Sequence, residues 1–60
     1  MTGYLITYTK IGGREDYIII WAGNMVEAIG QFEKTEHEGA RAGETFNYTQ
    51  HAITKIKLYT

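Results

Sequence analysis

The sequence reads as one small α+β domain of order β-β-α-β, a three-stranded sheet with one helix packed on one face. Three observations carry that reading. Residues 4–11 and 14–22 alternate and are rich in Tyr, Ile and Thr, with Gly12-Gly13 between them. Met25, Ala28, Ile29 and Phe32 recur at helical spacing within residues 24–38. Residues 50–59 alternate once more, setting Ala52, Thr54, Ile56 and Leu58 against Ile53, Lys55, Lys57 and Tyr59.

The first two strands form a hairpin. Gly12 and Gly13 supply the positive φ angles that a two-residue turn requires. With that turn, Tyr4 faces Trp21, Ile6 faces Ile19, Tyr8 faces Tyr17 and Lys10 faces Glu15 on one side. Leu5 faces Ile20, Thr7 faces Ile18 and Thr9 faces Asp16 on the other. Aromatic and opposite-charge pairs of this kind contribute roughly 0.2–1 kcal/mol each.

The helix opens at Asn24, a good N-cap, with Glu27 three residues later as in a capping box. Gly39 is the expected C-cap. Gly30 in the interior costs about 1 kcal/mol relative to Ala, either tolerated or used for close approach to the sheet. Residues 39–47 have no period and two glycines, and read as a mobile loop. A helix between the second and third strands makes those two strands parallel. Order 1-2-3 and order 2-1-3 both satisfy this; the Ile-rich second strand slightly favours the centre.

The chain has 60 residues and neither Cys nor Pro. A chain this short buries only about 60% of its unfolded surface. It has no disulfide or cysteine zinc site to compensate, so regular secondary structure or a second chain is expected to add stability. Six basic and seven acidic residues give a net charge of −1, which argues against a general polyanion binder. The longest apolar run, Tyr17 to Ala22, is far short of the roughly 20 residues of a membrane helix. Met1-Thr2-Gly3-Tyr4 lacks the basic and apolar regions of a signal peptide, so the cytoplasm is the expected compartment.

One helix covers one face of a three-stranded sheet. The aliphatic set Leu5, Ile11, Ile18, Ile20, Ile56 and Leu58 is expected beneath Met25, Ala28, Ile29 and Phe32. The opposite face then displays Tyr4, Ile6, Tyr8, Tyr17, Ile19, Trp21 and Tyr59, with Lys10, Lys55 and Lys57 around them. Monomers seldom leave contiguous apolar patches beyond a few hundred Å² in water. Tyr and Trp are also enriched at binding hot spots. Tyr4, Tyr8, Tyr17, Trp21, Lys55, Lys57 and Tyr59 are therefore the expected partner-binding residues. The expected partner is a protein, either another species or a second copy in a homodimer, engaged through this face and an exposed strand edge. The same rings and lysines would suit unpaired RNA or DNA bases and phosphates. The rings packing on one another, on residues 39–47, or on the helix with the two faces reversed is the purely structural alternative.

The chain contains no Ser and no Cys, which excludes the common Ser and Cys nucleophile mechanisms. His37 is expected to be exposed or capping at the end of an acidic helix, and His51 exposed at the start of a strand. His37 with Glu33, Glu36 or Glu38 matches no zinc spacing. Glu36 and Glu38 point to different helix faces and form no catalytic pair. No cofactor motif is present. The expectation is a protein without enzymatic activity.

The segments Tyr4-Leu5-Ile6-Thr7-Tyr8 and Tyr17 to Phe32 resemble a pattern common in small phage and mobile-element proteins. There a hairpin ends in Ala, a short cap residue follows, and the helix opens with Glu-Ala-Ile and an aromatic one turn on. The archaeal ribosomal protein LX has a similar hairpin-helix-strand order, its basic closing strand echoed by His51 to Leu58. The first resemblance implies an accessory inhibitor or regulator that binds a host protein, anti-CRISPR proteins among them. The second implies a ribonucleoprotein role.

Overall fold

The computed structural model describes residues 1–59. The expected small α+β domain is present. Strand β1 spans Thr2–Thr9, β2 Glu15–Ala22, helix α1 Met25–Lys34, β3 His37–Glu38, β4 Thr45–Phe46 and β5 Ile53–Leu58, the last preceded by a 3₁₀ turn over Gln50–Ala52. The main sheet has the order β2-β1-β5 with both neighbouring pairs antiparallel. Strands β2 and β5 thus run parallel to each other with β1 between them. The central strand is the first, not the Ile-rich second. Strand β2 obtains its cover from α1, which follows it directly and packs over Ile18, Ile20 and Ala22, so it needs no second neighbouring strand.

The hairpin loop has three residues, not two. Lys10 N donates to Arg14 O at 2.7 Å, and Gly13 N donates to Lys10 O at 3.0 Å. Ile11, Gly12 and Gly13 therefore make the turn, with φ of 100° at Gly12 and 86° at Gly13. Both values lie where side chains with a Cβ are disfavoured. Ile11 stands exposed at the tip and not under the helix. The extra loop residue slips the pairing by one. Tyr4 faces Ile20, Ile6 faces Ile18 and Tyr8 faces Asp16. A one-residue slip exchanges the faces of one strand relative to the other.

That exchange turns Tyr4, Ile6 and Tyr8 inward and Leu5 and Thr7 outward. The inward set is much the larger apolar surface. Ile6 and Phe32 are fully buried, and Tyr4, Tyr8, Ile20, Ala22, Ala28 and Tyr48 complete the core. Tyr8 meets Phe32 edge-on, with ring centroids 5.0 Å apart. Strand β5 adds a bulge. Thr7 pairs with Lys55 but Tyr8 pairs with Ile53, which leaves Thr54 as the extra residue. Plain alternation places Ile53 outside with the lysines; the bulge brings it to the core side along with Ile56. Leu58 shares the core side with Tyr4 but lies at the strand end and stays exposed.

Asn24 caps α1 as expected, its Oδ1 accepting from Glu27 N at 2.8 Å. The helix stops at Lys34, one turn short of the expected end at 38. Thr35 Oγ1 donates to Gln31 O at 2.7 Å, and Thr35 N to Phe32 O at 3.2 Å. His37 Nε2 lies 3.1 Å from the same Phe32 carbonyl. A carbonyl only accepts, so that nitrogen carries the proton. Far from being exposed, His37 is buried against Tyr8, Phe32 and Tyr48. It caps the helix from inside the core.

Residues 39–47 are likewise ordered differently from a free loop. Strands β3 and β4 pair His37 with Phe46 and Glu38 with Thr45. Tyr48 then reaches across: Ile11 N donates to its hydroxyl at 3.2 Å, and the hydroxyl lies 3.5 Å from Glu38 O. Glu33 ties this segment to the helix, its Oε2 accepting from Gln50 N at 2.8 Å and its carbonyl from Asn47 Nδ2 at 3.2 Å.

Gly30 is tolerated and makes no close approach: a Cβ there would meet nothing within 4 Å. Gly30→Ala is expected to raise unfolding stability by about 1 kcal/mol. Urea denaturation followed by circular dichroism checks this; a loss of stability would show that the position is sterically used.

Candidate functional site

Among the described residues, no helix or strand covers the face of the sheet away from α1. Alternation along β2 puts Glu15, Tyr17, Ile19 and Trp21 there, and alternation along β1 puts Gly3, Leu5, Thr7 and Thr9 beside them. The β5 register adds Lys55 opposite Thr7 and Lys57 opposite Leu5. Tyr59 continues the row, its backbone N–H donating to Gly3 O at 2.8 Å.

The face is thus three rungs across three strands. Tyr17, Thr7 and Lys55 form one, Ile19, Leu5 and Lys57 the next, and Trp21, Gly3 and Tyr59 the third. Gly3 explains the third rung. It has no side chain between its two aromatic neighbours, so the Trp21 and Tyr59 rings close over it edge-to-face, with centroids 6.4 Å apart and planes at 90°. Tyr17 is 64% exposed, Trp21 49% and Tyr59 52%. These rings are fixed by strand backbone yet still largely offered to solvent. At the Glu15 end, Leu5, Thr7, Glu15, Asp16 and Tyr17 line a shallow depression of about 290 Å³.

Of the expected partner-binding residues, Tyr17, Trp21, Lys55, Lys57 and Tyr59 come together here. Tyr4 and Tyr8 do not. The odd-length loop turns them to the helix side, where they are 7% and 4% exposed. Lys10 also leaves the group; it pairs with Asp16 across the hairpin at 3.4 Å. Sequence reasoning missed Gly3 and Leu5 as parts of this face. The signal for Gly3 was its place opposite an aromatic in the neighbouring strand, which depends on knowing the register.

The chemistry offered is apolar and aromatic contact with two ammonium groups along one margin. Neither Lys55 nor Lys57 is in an ion pair with a described residue. Among the described residues, no group of three or more His, Cys, Asp or Glu converges as a metal site. His51 is exposed in the 3₁₀ turn. No helix among the described residues is long and apolar enough to cross a membrane.

No protein-family model, curated protein or solved structure matches this chain.

One ionisable group on the opposite side is perturbed. Burial, then the negative potentials of Asp16, Tyr48 and Glu38, pushes the Tyr8 phenol above its ordinary value of 10.0. In the unfolded chain Tyr8 ionises at that ordinary value, and in the folded chain only at higher pH. The stability linked to its neutral form is complete below about pH 10 and is lost as pH rises through the folded value. Tyr8→Phe keeps the ring contacts and removes this titration. Urea midpoints measured from neutral to alkaline pH are expected to fall less steeply for Tyr8→Phe than for the parent. Parallel curves would show that Tyr8 ionisation is not part of alkaline unfolding.

Proposed function

We propose that this chain is a small non-enzymatic protein-binding module acting through the open sheet face. It belongs with the phage-type inhibitors or regulators that its strand and helix pattern resembles. One observation carries the reading: Tyr17, Trp21 and Tyr59 remain about half exposed or more on the open face while four other aromatic residues, Tyr4, Tyr8, Phe32 and Tyr48, are buried. The core has thus not drawn in these three. Aromatic side chains on rigid strands lose little entropy on binding and are the commonest hot-spot residues. Leu5 and Ile19 supply an apolar floor between them, and Lys55 and Lys57 a polar margin, as in an interface core with its rim.

The lysines beside the rings also support a second reading, a single-stranded RNA or DNA binder. The net charge of −1 and Glu15 on the same face weigh against it. Phosphate-dominated binding weakens steeply with salt, whereas an aromatic protein interface does not.

Trp21→Ala/Tyr59→Ala removes two of the three exposed rings without touching the core. The variant is expected to remain folded by circular dichroism. A protein partner captured from cell lysate on the parent chain should bind the variant at least about tenfold more weakly, since hot-spot truncations cost about 2 kcal/mol or more. Undiminished binding would sink the proposal. Binding of a labelled oligonucleotide that disappears with added salt would transfer the face to nucleic acid.

A further inference from the structure

The main sheet has two edges, and they are built differently. Strand β5 carries the Thr54 bulge and two lysines, devices that discourage strand addition. Strand β2 has neither. It runs eight residues with an unbroken register, and from Tyr17 to Ala22 it carries no charge. Natural sheets rarely leave such an edge unprotected unless it is used.

The hydrogen bonding shows which β2 groups are free. The Lys10–Arg14 bond places the backbone of even-numbered β2 residues toward β1. The odd-numbered residues Glu15, Tyr17, Ile19 and Trp21 then point their N–H and C=O groups at the outer edge. At Tyr17 that N–H is taken by the carboxylate of Asp16, at 2.8 Å. No described strand pairs with this edge.

We infer that β2 pairs antiparallel with β2 of a second copy, with Ile19 on the twofold axis, joining two sheets into one of six strands. This deepens the reading of the open face as a protein-binding surface. The edge is self-complementary in that register. Odd residues must meet odd residues for the free backbone groups to bond. With Ile19 facing Ile19, Tyr17 of each copy faces Trp21 of the other, so two aromatic pairs flank the axis. Asp16 then faces Ala22, and Glu15 faces Gly23 beyond the strand end, where the carboxylates keep their water. Sliding the register two residues the other way sets Glu15 against Trp21 and Asp16 against Ile20, a desolvated arrangement. The local Asp16–Tyr17 bond is exchanged for one to Trp21 O of the second copy. Both helices stay on one side, and the two open faces merge. A single strand pair buries less than the roughly 1,600 Å² of a standard interface, so the association is weak and concentration-dependent.

Sedimentation equilibrium from micromolar to millimolar protein is expected to show the mass rising toward twice that of the chain. Backbone N-methylation at Ile19, introduced by chemical synthesis, removes an outward N–H and spares the intrachain ladder. It is expected to weaken association at least tenfold with an unchanged circular dichroism spectrum. The chain has no cysteine, so Ile19→Cys gives a second measurement that does not depend on the methylated chain folding. Residues facing each other across hydrogen-bonded antiparallel strands lie about 5.5 Å apart at Cα, within disulfide range. Ile19→Cys should therefore oxidise to a linked dimer much faster than Lys55→Cys on the other edge. A monomer throughout, or equal cross-linking of the two variants, overturns the inference. Lys57→Glu separates the two proposals: it lies on β5, two strands from the β2 edge, so it should leave self-association intact while weakening binding of another protein.

Discussion

Three residues, Ile11, Gly12 and Gly13, turn the chain between β1 and β2, and their odd number sets which side chains of the hairpin share a face. Strand side chains alternate with period two, so the parity of the loop is the parity of the pairing. With three residues in the turn, Tyr4, Ile6 and Tyr8 fall on the same side as Ile18 and Ile20. That side gathers Tyr4, Ile6, Tyr8, Ile18 and Ile20, and α1 closes over it with Ala28 and Phe32. With two residues in the turn, Ile6 would share a face with Trp21, and the helix would cover Leu5 and Thr7. Burial favours the first arrangement, and the two glycines permit it because both have positive φ.

A chain of this size has little core to spare, and the segment after α1 extends it. Residues 35–52 fold back over the hairpin end and close it with His37, Phe46 and Tyr48. The polar atoms that enter with them are matched. The His37 ring donates to the Phe32 carbonyl that Thr35 N also reaches, and the Tyr48 hydroxyl bridges the hairpin tip to β3. Such unions between distant segments do for this chain what a disulfide does in other small domains: they hold the closing segment against the core.

The open face is a consequence of the same economy. One ten-residue helix shelters one side of the sheet, and the other side is finished with residues that tolerate water on one edge and apolar contact on the other. Tyr and Trp have that character. Gly3 lets two of them meet, so the patch is partly self-covered and its geometry is rigid. The β2 edge adjoins this patch through Tyr17, Ile19 and Trp21, the same residues that carry the rings and the outward backbone groups.

Local order was legible in the residues. The Tyr-, Ile- and Thr-rich alternation marked β1 and β2, the Asn24 cap and the spacing through Phe32 marked α1, and the alternating tail marked β5. The placement of Tyr17, Trp21, Lys55, Lys57 and Tyr59 together was also readable, because β2 and the end of β5 keep the parity that their patterns display. What the chain's own pattern could not decide was everything that depends on two segments meeting. Gly12-Gly13 is compatible with a turn of two residues or of three, and only the competition between alternative cores selects one. That selection moved Tyr4 and Tyr8 inside. The Thr54 bulge, the early helix end and the burial of His37 have the same origin. Each trades an ideal local pattern for a long-range contact, with β1, with the 35–52 segment or with the Phe32 carbonyl. Period and propensity act between neighbours in sequence and so can be read along the chain; burial acts between neighbours in space, and it settled the register.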